Sequence, residues 1–238
     1  MTYLELCQGL VSELGLSGGT GPVAVTGNTV LELNNVTRWI RDAALQVDNL
    51  WLDWKYLWCQ YLKTGATVGT QTLAVPTPTP RLWDLKKMRY RPQGLVGGWQ
   101  DLQYLTRQQL ADQCDPDNAI AATPWAYTIL PDNTIYLAAP TDAAYDFKGE
   151  YWRRPATLAA NGDIPLLPPE QHRIIQCRAA IMYGNREDAP EVISGMEAEY
   201  IDMLDKLQAD QLEDFEGRRS STDRSAQRYE SGDLQTWL

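Results

Sequence analysis

The period of the apolar residues changes twice along this chain. It runs from helical spacing at the start to strand spacing in the middle and back to helical spacing, which restricts the fold to a mixture of helices and sheet. Near the N-terminus, Thr2 followed by Glu5 makes a capping box, and Tyr3, Cys7, Leu10, Val11 and Leu14 share one helix face. Gly15 closes that helix. Residues 17–22 hold several glycines but lack the preceding strand and the Gly-Lys-Ser/Thr ending of a phosphate loop, so they read as a linker. A second helix is predicted from Asn34 or Asn35, either of which suits an N-cap, to about Trp51. Val36, Ile40, Ala43, Val47, Leu50 and Trp54 follow its steps of four and three. Trp39 and Trp51 flank this stripe, and core packing is their simpler reading.

From residue 55 to 155 the alternation is that of strands. Residues 56–63 and 70–75 are the first two, and the series Pro76, Pro78, Pro80 imposes an extended connection unable to pair as a central strand. Residues 81–91 read as one long strand with Leu82, Met88 and Tyr90 on one side and Trp83 and Leu85 on the other. Residues 127–130 and 134–138 flank Pro131-Asp132-Asn133, which has the turn chemistry of a hairpin, and residues 145–153 supply a further strand. Thr106 caps a short helix through Asp112, with Leu105 and Leu110 as its apolar contacts. The middle is thus expected to be an antiparallel β lobe interrupted by one short helix.

Helical spacing returns after the loop Asn161-Gly162-Asp163. Pro168 and Pro169 mark a helix start that carries Ile174, Cys177, Arg178 and Ile181 toward Gly184. A longer helix follows Pro190, with Val192, Met196, Tyr200, Met203 and Leu207 on one face. Residues 187–216 hold eleven acids and one lysine, a net charge of −10 that equals the charge of the whole 238-residue chain, so the outer face here is strongly acidic. Residues 217–238 are rich in Ser, Arg, Asp and Gln. They bury too little apolar area to offset their ordering entropy unless another chain supplies a surface. The expected class is α+β: a helical bundle of N-terminal (1–54) and C-terminal (161–216) helices, an inserted antiparallel β lobe (55–160), and an extended partner-binding tail (217–238).

Composition excludes several functions. The −10 balance argues against a general affinity for phosphate backbones. Cys7, Cys59, Cys114 and Cys177 are widely separated, with no CxxC pair to suggest zinc or redox chemistry, and fit a reduced compartment. No apolar run approaches a membrane span and no signal peptide is evident, so a soluble protein made in the cytoplasm is expected. His172 is the sole histidine, placed in the first turn of a helix with no nucleophile near it in sequence; together with the scarcity of titratable clusters, this predicts neither a catalytic centre nor a metal or cofactor site. Nine Trp and twelve Tyr against two Phe favour surfaces that a partner covers.

Two groups of residues are candidates for such contacts. Arg81, Lys86, Lys87, Arg89 and Arg91 oppose a single Asp84; this patch suits DNA phosphates or an acidic neighbour, and in a ring it is a candidate to meet the acidic last helix of the next subunit. In the tail, Arg218, Arg219, Arg224 and Arg228 precede the terminal pair Trp237-Leu238, which reads as a docking segment or as a frayed end.

The opening residues 1–16, the glycine-rich link to residues 36–43, and residues 49–57 with Trp51 and Trp54 resemble the head-to-tail adaptor (head completion or connector) proteins of tailed bacteriophages. Beyond that first quarter, the order of β insertion, returning helix pair and tail is similar. The resemblance implies a non-enzymatic virion protein of the neck, assembled in the host cytoplasm as a dodecameric ring docked beneath the portal protein. It implies further that the ring extends the DNA channel, lets DNA pass without specific binding, and offers a platform for tail components, with the tail segment reaching the portal or a neighbouring subunit. Whether the acidic face lines that channel or lies outside it is open. The alternative from another class is a carbohydrate-binding β module, since exposed Trp and Tyr stack on sugar rings; the long flanking helices and free cysteines stand against it.

Overall fold

The computed structural model describes residues 1–16, 21–27, 30–114 and 120–212. Among them are five α-helices and two sheets, an α+β architecture in which helices bracket the strands in sequence. Helix α1 (Tyr3–Leu14) carries the expected capping box. The Glu5 amide donates to Thr2 Oγ1 at 3.3 Å and the Thr2 amide to Glu5 Oε2 at 2.7 Å, while Gly15 ends the helix in the left-handed conformation that glycine tolerates best.

Helix α2 (Leu31–Asn49) departs from expectation at its start. Asn34 and Asn35 lie inside it, and Val30 at the N-cap offers no side-chain bond. Leu33 on the additional turn packs against the helical core, and Glu32 sits where the unpaired first-turn amides favour negative charge, so packing and the helix dipole replace a cap. Trp39 on this helix is core, as the simpler reading held, and meets Tyr183 edge-on with ring centroids 5.6 Å apart.

After a 3-10 turn at Pro169–Gln171 come α4 (Arg173–Glu187) and α5 (Pro190–Gln211); the short α3 (Arg107–Gln113) lies between strands. Helix α4 passes Gly184 and closes at Asp188, which takes the left-handed conformation at φ 52°. Gly184 therefore serves packing and not termination: a Cβ there would lie 2.7 Å from Ile193 Cγ1 on α5. Leu6 and Leu10 of α1, Val36, Ile40 and Val47 of α2, and Ile174, Ile175 and Ala179 of α4 form one buried cluster. Arg173 ties its edge together, pairing with Glu13 on α1 and, at 3.0 Å, with Glu199 on α5.

The lobe is two facing sheets. In the first, β9 (Tyr145–Arg153) pairs antiparallel with β1 (Trp58–Ala66) on one edge, and with β3 (Pro80–Trp83) and β4 (Arg89–Pro92) end to end on the other; β5 (Gln100–Asp101) extends it. The second runs β2 (Thr72–Leu73), β8 (Ile135–Leu137), β7 (Ala126–Ile129), β6 (Gln103–Tyr104). The β7–β8 hairpin turns at Asn133, φ 67°, as its sequence implies. Two expectations are corrected. The pair β6–β7 is parallel, because α3 carries the chain between them. Residues 81–91 are not one strand: the Asp84 carboxylate accepts the Lys86 amide at 3.0 Å and its carbonyl accepts the Lys87 amide at 3.2 Å, inserting a turn. That turn brings Trp83 to the same side as Met88 and Tyr90, in a core shared with Tyr61, Tyr127, Phe147 and Tyr151.

Gly184→Val should place two methyl groups against Ile193 and destabilise the protein by about 1–3 kcal/mol. Urea unfolding followed by circular dichroism measures this; an unchanged midpoint would contradict the close α4–α5 approach.

Candidate assembly surfaces

The sole histidine is held by hydrogen bonds, and two of the four free thiols are buried. His172 is fully buried at the head of α4; its Nε2 donates to the Leu167 carbonyl at 3.0 Å and Nδ1 lies 2.9 Å from the Met1 amino group. Burial lowers its proton affinity. The thiols of Cys7 and Cys177 are pushed up to about 12 by burial, far from the thiolate that nucleophilic chemistry needs. Among the described residues no three His, Cys, Asp or Glu side chains are grouped to hold a metal ion, and no helix is long and apolar enough to cross a membrane.

Among the described residues Asp48, near the end of α2, is the one carboxylate pushed upward, to about 6. Burial is the main cause; the Tyr56 hydroxyl, donating to Oδ1 at 2.8 Å, and the nearby Arg81 oppose it. Asp48 sits where the helices meet the lobe, and Arg81 donates to its backbone carbonyl at 3.1 Å.

The five bases of the candidate charge patch therefore separate. Arg81 belongs to this junction. Arg91 pairs with Asp146 at 3.1 Å, and its guanidinium covers the Trp99 ring at 4.5 Å. Lys86 and Lys87 are exposed on the Asp84 turn and make no ion pair among the described residues. Lys87 and Arg89 share a shallow hollow with Lys148, Gln60, Gly149 and Glu150 on the outer side of the first sheet, where Arg89 also pairs with Asp101 at 2.6 Å. Lys148 was not singled out from sequence; alternation along β9 gives it away, because Tyr145, Phe147, Gly149 and Tyr151 point inward and its even-numbered neighbours outward.

That outer face carries an apolar row as well. Trp58, Trp152 and Leu82 stand side by side on β1, β9 and β3. Trp58 is 46% exposed and Leu82 37%, and Trp58 donates from Nε1 to Glu150 at 3.3 Å. Most of the aromatic surplus lies elsewhere: Trp54, Tyr127 and Tyr151 are fully buried, and Trp58 and Trp125 are the only described tryptophans more than a third exposed. The expectation that Trp and Tyr mark partner surfaces is thus corrected at most positions, because these side chains fill the two cores. A second exposed apolar element is the β4–β5 loop, where Leu95 and Val96 stand in solvent between Gly94 and Gly97.

Helix α5 presents the acidic surface. Of its 22 residues only Leu207 is fully buried; Val192, Met196, Tyr200 and Met203 pack partly against the core, and Glu191, Glu197, Asp202 and Asp210 are exposed. The tail candidates Arg218, Arg219, Arg224, Arg228, Trp237 and Leu238 lie outside the described residues.

The structure thus has helices packed on a two-sheet lobe, with an acidic surface on α5 and basic side chains on the outer face of the first sheet. A family model described as SU10 adaptor protein matches residues 1–227, and the chain belongs to that family, a bacteriophage adaptor. The resemblance to head-to-tail adaptors read from the N-terminal quarter is thereby borne out over nearly the whole chain. Comparison with curated proteins gives no match.

Asp48 sets a pH dependence of stability. Its folded pKa lies above the 3.8 of the unfolded chain, so it binds a proton more readily when folded, and its contribution to stability grows as pH falls from about 6 toward 3.8. Asp48→Asn keeps an acceptor for Tyr56 and should stabilise the protein by about 2 kcal/mol at pH 7.5, with the gain gone near pH 4. Thermal melts across that range check it; a less stable variant at pH 7.5 would mean the charge is needed at the junction.

Proposed function

We propose that this chain is a structural protein of the virion neck: a head-to-tail adaptor that forms a ring, dodecameric in keeping with the adaptors it resembles, beneath the portal protein. The ring extends the channel through which DNA passes and offers the surface on which tail components dock. Its N- and C-terminal helices act as one bundle, the β lobe projects from it, and residues 217–238, with Arg218, Arg219, Arg224, Arg228 and the Trp237-Leu238 end, reach the portal or the adjacent subunit.

The observation that carries this reading is the family match from residue 1 to 227, which spans helices, lobe and the first part of the tail. Charge supports it. With 31 acids against 21 bases the chain repels phosphate overall, and a channel that must release DNA works by repulsion better than by grip. The role is non-catalytic: assembly requires complementary surfaces, and the buried histidine and thiols are occupied as structural groups.

The test is the mass of the purified protein alone and mixed with a portal ring from the same phage. A closed ring of about twelve copies should form on the portal, and a chain truncated after Glu216 should bind it at least tenfold more weakly. Failure of the full-length chain to bind any portal ring would remove the adaptor reading; full binding by the truncated chain would remove the tail from it.

A further inference from the structure

Resting on the adaptor reading, we propose that copies of this chain join head to tail by laying helix α5 of one copy across the outer face of the first sheet of the next. The sheet face is open among the described residues. Lys148, Glu150 and Trp152 on its central strand β9 are only partly covered, and the flanking Trp58, Leu62 and Leu82 are exposed. One end of the face is the apolar row Trp58–Trp152–Leu82, in which Trp152 also packs against the helical core and Trp58 and Leu82 are exposed; beside it stand Lys86, Lys87, Arg89 and Lys148.

Helix α5 matches that surface in shape, length and charge. Its outward stripe mixes acidic and small residues: Glu191, Gly195, Ala198, Asp202 and Ala209 all lie within about half a turn of one line, with Lys206 at its edge paired to Asp202 at 2.6 Å. Nothing stands within 4 Å of a Cβ built on Gly195. Small side chains let a helix backbone settle close to a flat sheet, and acids on the same line meet lysines there. The helix's 22 residues span about 33 Å and the nine residues of β9 about 30 Å, so the two surfaces are commensurate.

The occupant follows from the charge balance. Residues 55–160 carry eleven bases and nine acids, a net +2 in a chain of −10, so the lobe is the relatively basic part and the α5 region the most acidic. Glu191 and Glu197 make no ion pair among the described residues, and neither do Lys86 and Lys87. Within one copy α5 lies against α4 through its other side, with its last turn beside Lys55, whose Nζ donates to the Asp210 carbonyl at 3.3 Å. The two faces are different patches, so their pairing is heterologous and repeats from copy to copy, as closure of a ring requires. Burial of the tryptophan row supplies the apolar part of the contact, while the charges set orientation and encounter rate.

The experiment is a charge swap. Lys86→Glu/Lys87→Glu alters the sheet face and Glu191→Lys/Asp202→Lys the helix face, all at exposed positions, with folding checked by circular dichroism. Self-association is read by native mass spectrometry and sedimentation, with and without a portal ring. Each variant alone should associate at least about tenfold more weakly than the unaltered chain. An equimolar mixture should recover association, since each junction then joins opposite charges, and so should the fourfold variant carrying both changes. Association that survives either reversal, or that no mixture restores, overturns the pairing; if the unaltered chain still forms a ring on the portal, the adaptor reading stands without it. Lysine-dependent binding of duplex DNA with unchanged self-association would reassign the sheet face to nucleic acid. An unaltered chain that neither associates nor binds a portal ring overturns both.

Discussion

Strand β9 is the element on which the rest of the structure depends. It is hydrogen-bonded along both edges, to β1 on one side and to β3 and β4 on the other, so removing it leaves no first sheet. Its odd-numbered residues Tyr145, Phe147 and Tyr151 fill the lobe core, and Gly149 leaves space for Met88, whose Cε would lie 3.0 Å from a Cβ there. Its even-numbered residues set the character of the outer face, with Asp146 holding Arg91, Lys148 on the Trp99 ring, and Trp152 reaching the helical core. One strand thus decides the lobe's interior, its exposed surface and its attachment to the helices.

The helical part follows a different economy. Three helices, α1, α2 and α4, share a largely aliphatic core that also takes in Tyr3, Cys7 and Trp39, and α5 is held to it by a narrow stripe and by the Arg173 pairing with Glu13 and Glu199. The two carboxylates raise the proton affinity of Arg173, and Glu199 is held low by the same contact. A 22-residue helix fixed on one side only keeps a long surface available without loss of position. Helix α5 is thereby divided between a buried minority and an exposed acidic majority.

Much of this was legible in the residues. Local signals with a stated mechanism located α1 through the Thr2–Glu5 box, α3 through the Thr106 cap, the β7–β8 hairpin through its Pro-Asp-Asn turn, and β9 through strand spacing. What failed was set by distant contacts. The start of α2 depends on Leu33 meeting the helical core, which no nearby residue announces, while the asparagines that looked like caps are ordinary helix positions. The turn at Asp84 is a single side-chain acceptor inside an otherwise strand-like run. The five-base patch divided because Arg81 and Arg91 found partners in other elements, Asp48 and Asp146, and because Lys148, some sixty residues from Lys87, is brought beside it by strand pairing. Spacing in sequence could identify the charges but not their neighbours.

The central claim is that this chain presents open faces which only other copies or virion proteins cover. Hydroxyl-radical footprinting of the free protein and of the same protein assembled on a portal ring tests it side chain by side chain. Trp58, Leu82 and Ile201, all exposed in the single chain, should lose reactivity several-fold on assembly, while Trp54 and Tyr151, already buried, should not change. Equal reactivity of Trp58, Leu82 and Ile201 in the two states would contradict the account.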